Sequence, residues 1–166
     1  MATLENPFEK VRQKMVAARL EVMSQLAKFN SRELALAPAP EEWSALLLAY
    51  HVYIADGLAL GQMHQVQEEE NPLVSVLDEE TPRQTRAAEP PASLEAVLGG
   101  MAARREEIFE YLSSLPPTDW ERPFRHPEWG QLKFYQMVNI LPQHDRMHAQ
   151  QLASLKASLS QFQSGS

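Results

Sequence analysis

The chain has 166 residues, 44% of them apolar and 22% charged, which fits one soluble globular domain and excludes both a disordered chain and two independent catalytic domains. Its 22 acidic residues outweigh 15 Lys plus Arg for a net charge of −7, and no basic cluster stands out, so nucleic acid is not an expected partner. Without a single cysteine there is no thiolate nucleophile or disulfide, and any metal must be held by histidine or carboxylate.

The first predicted helix runs from about Pro7 to Phe29. Val11, Met15, Ala18, Val22, Leu26 and Phe29 recur at steps of three and four, which places them on one face. Asn6 is the expected cap, with Pro7 at the first helical position and Glu9 three residues after the cap. The second helix is expected from the acidic pair Glu41 and Glu42, after the break at Pro38 and Pro40, to about Gln65. Its predicted inner stripe is Trp43, Leu47, Tyr50, Ile54 and Leu58, with His51 in the midst of these apolar residues.

Residues 67–92 are acidic and proline-rich, lack sustained periodicity apart from an apolar island at Leu73 to Leu77, and read as a long, partly mobile crossover loop. The third helix is expected from a Ser93 cap to Leu115, with Leu94, Val97, Met101, Ile108, Leu112 and Leu115 inward. An ordered loop, DWERPFRHPEWG, follows. The fourth helix spans about Leu132 to Leu159, with Phe134, Val138, Leu141, His148, Leu152, Leu155 and Leu159 inward and a kink expected at Pro142. Four such helices make an all-α four-helix bundle, a single domain over 1–160 with a frayed tail at 161–166. MATLENPFEK lacks the charged-then-apolar order of a secretion signal, and the apolar stretch 43–55 is shorter than a ~20-residue membrane span, so a cytoplasmic protein without membrane contact is expected.

His144 and His148 stand four apart on the last helix, where two imidazoles project side by side and can share one metal ion. Buried on another helix, His51 also needs partners for its nitrogens, and a metal is one. Three neutral imidazoles leave one coordination position open for water or substrate, the pattern of catalytic zinc. Asp145, beside the first ligand, invites comparison with the general base of HExxH proteases, although a solvent-facing charge near Arg146 is the simpler expectation. Asp56 is a candidate to orient a ligand histidine, or to pack or cap, and His126 and Tyr50 are candidates to line a pocket, although a loop histidine bonded to backbone and a core tyrosine are the simpler expectations. His64 reads as a helix C-terminal residue.

EWSALLLAYH at 42–51, HPEWG at 126–130 and HDRMHAQQL at 144–152, in this order and spacing, resemble the DinB/YfiT-like metalloenzymes over nearly the whole chain. That resemblance implies an up-down-down-up bundle with a long crossover between helices two and three. It also implies a divalent transition metal (zinc, nickel or iron) on His51, His144 and His148, and a homodimer. Pro142, two residues before the first motif histidine, departs from the pattern and bears on the aim of His144. Some members are similar to S-transferases that use a low-molecular-weight thiol such as bacillithiol, mycothiol or glutathione, and related proteins include maleylpyruvate isomerases. The expectation is therefore a transferase that activates a small thiol for attack on a small-molecule electrophile. The alternatives are a hydrolase using metal-bound hydroxide and a bundle that binds metal without catalysis.

Overall fold

The computed structural model describes residues 7–39, 42–77, 81–82, 84–85 and 93–164. Helix α1 (Pro7–Leu26) buries Val11, Met15, Ala18, Val22 and Leu26, and Phe29 is buried just beyond its end, so the predicted stripe faces inward throughout. The expected cap Asn6 lies outside the described residues. A short helix that periodicity did not announce, α2 (Ser31–Leu34), follows on a capping box: Asn30 Oδ1 accepts the Glu33 N–H at 2.8 Å, and Glu33 Oε1 accepts the Asn30 N–H at 3.0 Å.

Helix α3 (Ala45–Glu68) begins later than the acidic pair suggested, because the Ser44 hydroxyl accepts the Leu47 N–H at 3.2 Å and sets the cap there. Its buried face also differs from the predicted one. Ala45, Leu48, Val52, Ala55, Ala59, Met63 and Val66 are buried together with His51, whereas Leu47, Tyr50, Ile54 and Leu58 are half-buried. Residues 45–60 are apolar nearly all round, so periodicity cannot choose the face, and the small alanines win the closest approach. Helix α4 (Leu94–Ser114) starts on the Ser93 cap, whose hydroxyl accepts the Ala96 N–H.

The segment expected as a loop before the last helix contains a 3-10 turn (Pro117–Glu121) and an antiparallel hairpin, β1 (Pro123–His126) with β2 (Gly130–Lys133), in register Phe124 with Leu132 and His126 with Gly130. Gly130 closes its turn at φ 77°, a conformation that glycine adopts without penalty. The apolar island of the crossover docks here: the Arg125 N–H donates to the Pro72 carbonyl at 2.8 Å, and the Val74 N–H to the Arg125 carbonyl at 3.0 Å. Arg122 satisfies the end of α3 by donating to the carbonyls of Val66 and Glu69. Helix α5 (Phe134–Ser164) is assigned without interruption across Pro142, which leaves the Val138 carbonyl without its helical donor, and it extends into the stretch expected to fray. Among the described residues no helix is long and apolar enough to cross a membrane.

The core divides into two apolar clusters. Met15, Met63, Ile108, Leu112, Phe134 and Val138 belong to the first, and Val22, Leu26, Val52, Val97, Met101 and Leu152 to the second. Helices α1 and α5 run from the first to the second, while α3 and α4 run from the second to the first, which is the up-down-down-up order. Residues 69–93 must therefore travel the length of α4, about 30 Å at ~1.5 Å per residue.

Helices α3 and α4 approach closely at Gly100, where an added Cβ would stand 3.1 Å from the Tyr53 ring, itself held by Arg104 through a 3.0 Å hydrogen bond. Gly61 has open space around it. Gly61→Ala should therefore raise stability by about 0.5–1 kcal/mol in urea denaturation, and Gly100→Ala should gain less or lose stability.

Candidate metal centre

Each of the four long helices places one charged side chain at the plane between the two clusters: Arg19, Asp56, Arg105 and Asp145. Arg19 donates to Asp56 Oδ2 at 2.9 Å and to both oxygens of Asp145 at 3.2 Å. Arg105 donates to Asp56 Oδ1 at 3.0 Å and to Asp145 Oδ2 at 3.2 Å. Burial opposes the charge on Arg19, but the carboxylates of Asp56 and Asp145 outweigh it and hold the guanidinium above its usual pKa. Asp145 is 3% exposed, so the expected solvent-facing charge is corrected to a buried one. With Arg19 and Arg105 on both its oxygens, it is also poorly placed to act as a general base. Asp56 takes the packing alternative, bonded to the same two arginines.

The histidines stand beside this plane. His51 of α3 and His148 of α5 are buried with ring centroids 4.9 Å apart, and two imidazoles sharing a tetrahedral ion at ~2.0–2.1 Å metal–nitrogen distance have centroids about 5 Å apart. Their tautomers follow from their partners. Thr85 donates its hydroxyl hydrogen to the Thr81 carbonyl at 2.7 Å, so at 3.3 Å it accepts from His51 Nδ1–H. His148 Nδ1–H donates to Gln151 Oε1 at 2.8 Å. In this tautomer both rings carry their lone pair on Nε2, the arrangement in which an outer partner fixes a ligand histidine. Burial first, then the rings of His148 and His144, push the His51 pKa down to about 3, so it is neutral at pH 7.

His144 is half-buried, with its centroid 6.0 Å from that of His148. Among the described residues no three His, Cys, Asp or Glu side chains are gathered tightly enough to hold a metal ion as they stand. The donor set fits a divalent ion in kind, with two imidazoles at sharing distance and the third about 1 Å beyond it. Two cavities flank the cluster. A wider cleft of about 840 Å³ with a mixed lining, Gln151, Ser154 and Ser158 beside Trp43, Leu48 and Leu155, borders His51 and His148. An apolar slot of about 50 Å³ borders His144.

His126 borders that slot, and its Nδ1 accepts the N–H groups of Glu128 and Trp129 and shapes the hairpin turn, the backbone-bonded role that was the simpler expectation. Tyr50 instead stacks on Tyr53 at 6.0 Å and belongs to the second cluster, outside both cavities. The sequence reading missed Arg19, Arg105, Thr85 and Gln151. Arg105 left a trace, since it fills the gap between Met101 and Ile108 in the inward stripe of α4. Thr85 left none, because its place depends on the path of the crossover.

The family profile of the DinB superfamily matches residues 8–152. The uncharacterized protein YuaE of Bacillus subtilis is 26% identical over 154 residues, covering 86% of this chain and 94% of YuaE. A protein of Oceanobacillus iheyensis named "Putative metal-dependent hydrolase OB0782" is 25% identical over 126 residues, covering 76% of this chain and 72% of that protein. Among solved structures, YfiT from Bacillus subtilis, described as a probable metal-dependent hydrolase with an unusual four-helix bundle topology, superposes with a TM-score of 0.73 at 13% identity, covering 96% of this chain and 91% of YfiT. The four-helix bundle protein TT2238 superposes with a TM-score of 0.63 at 18% identity, covering 89% of this chain and 98% of its own. At these identities the structural likeness shows a shared fold.

Arg105→Met should leave Asp56 and Asp145 to share Arg19, with one buried negative charge in excess, and cost about 3–5 kcal/mol in denaturant unfolding. The double variant Arg105→Met with Asp56→Leu, which leaves Arg19 paired with Asp145, should recover part of that loss.

Proposed function

The chain belongs to the DinB superfamily, and from that premise we propose that it is a metal-dependent enzyme acting on a small molecule, with His51, His144 and His148 holding one ion of zinc, nickel or iron. The observation that carries this is the pair His51 and His148, 4.9 Å apart on different helices, each with its Nδ1–H bonded to an outer partner so that the ring lone pair lies on Nε2. Bound there, the ion supplies Lewis acidity, which activates a water or a thiol at neutral pH and polarises the group it attacks.

The chain's own residues hold and shield the site. Thr85 and Gln151 fix the imidazoles, and Trp43 lies 4.9 Å from the His51 ring and covers it from water. The arginine–aspartate plane keeps α3 and α5 at the spacing that sets the His51–His148 distance. Two cavities at one histidine cluster suit two reactants, and this supports transfer of a low-molecular-weight thiol: the polar thiol in the cleft lined by Gln151, Ser154 and Ser158, the electrophile against His144. Hydrolysis is the second reading, favoured by the names of the relatives.

Elemental analysis of tag-free protein should find about one equivalent of transition metal. His51→Ala, His144→Ala and His148→Ala should each lose most of it while helical circular dichroism stays largely intact, since the two apolar clusters carry the fold. Wild-type occupancy in His51→Ala would overturn the triad. Thiol-dependent loss of an electrophile separates transfer from ester cleavage without thiol.

A further inference from the structure

The apolar slot beside His144 is built from three parts of the chain that the fold brings together with some effort. The crossover supplies Val74 and Leu77, the hairpin supplies Phe124 and Trp129, and α5 supplies Met137 and Ile140. Backbone hydrogen bonds between 72–74 and Arg125 fasten the first part to the second. Val74, Phe124 and Met137 are buried, whereas the Trp129 indole is 57% exposed and stacks on His126 at 4.2 Å. A large aromatic ring left in water, braced by a second ring and bordering an apolar hollow, has no packing purpose in the bundle core. Gln62, the buried polar residue in the wall, spends its amide hydrogens on Ser75. Glu128 in the wall and the net charge of −7 disfavour an anionic occupant. At ~10–15 Å³ for each water-sized group, a slot of about 50 Å³ takes roughly three to five heavy atoms.

We propose that this slot receives the short apolar chain, about three to five heavy atoms, of a neutral substrate whose reacting group lies against His144. The inference rests on the metal-enzyme reading for the reacting group, but the slot itself is testable without metal. Occupancy follows from removing apolar surface from water, and Trp129 with Ile140 sets the length of chain that fits.

In the metal-free protein labelled with methyl-13C methionine, 1-butanol should shift the Met137 signal saturably, with a midpoint of about millimolar for so small a ligand. Ile140→Trp, a change at a half-buried position that fills the slot, should raise that midpoint at least tenfold, and Trp129→Ala at the exposed wall should raise it severalfold. A linear, unsaturable shift, or an unchanged midpoint in Ile140→Trp, overturns the slot. In the cobalt-loaded protein, butanohydroxamic acid should bind about tenfold more tightly than acetohydroxamic acid, read from the visible spectrum, and Ile140→Trp should erase the preference. Equal binding of the two in wild type overturns the link between slot and metal. Failure to load cobalt overturns the metal-enzyme reading instead, and the butanol titration still decides the slot.

Discussion

The buried square of Arg19, Asp56, Arg105 and Asp145 is the constraint on which the other features depend. Taking an ion out of water costs several kcal/mol, and the four charges recover that cost because each guanidinium meets both carboxylates. A helix slipped by one turn would bury a charge without its partner. Apolar stripes tolerate such slips, since one leucine replaces another at modest loss, whereas the square does not. The bundle is thus held by two apolar clusters and registered by the polar plane between them.

The registration reaches the histidines through short distances along the helices. Asp145 lies between His144 and His148 in sequence, and Asp56 is five residues beyond His51, so fixing the two aspartates fixes the heights of the histidine-bearing turns on α3 and α5. The remaining partners come from outside the bundle helices' inner stripes: Thr85 from the crossover, and Trp43 from the residues before α3. The site therefore joins a rigid floor to walls to which both helices and connections contribute, and the contributions differ on its two sides. One cavity is wide and mixed in lining, the other narrow and apolar, which gives one histidine cluster two chemically distinct neighbours.

Much of this was legible in the residues, and the failures have physical causes. The stripe from Val11 to Phe29 faces inward as read, because α1 is polar on its other side and has one way to bury itself. On α3 the same method chose Leu47 and Ile54 over Leu48 and Ala55, because an all-round apolar helix carries no phase. Asp145 was placed in solvent because it stands ~100° around the helix from His144; that direction instead meets two arginines from other helices, and pairing across helices is invisible to a local window. The hairpin escaped because four-residue strands flanking a turn at His126–Gly130 are too short for an alternating pattern. The histidine pairing was readable from an i, i+4 spacing plus one misplaced polar residue; the 6.0 Å separation of His144 from His148 was not.

The pairing of α1 with α5 also orders events in time. On a ribosome the chain emerges N-terminal end first, so Arg19 and the stripe of α1 are made well before Asp145 and the face of α5 that covers them. Until α5 is released, the nascent chain holds an uncovered apolar helix and an incomplete charge square, and α3 with α4 is the pair that can close early. The long-range closure is the slow step expected of contacts so distant in sequence. The last helix to be synthesised therefore brings the final partner of the square and two of the three histidines together, so the bundle and the histidine cluster reach completion in the same event.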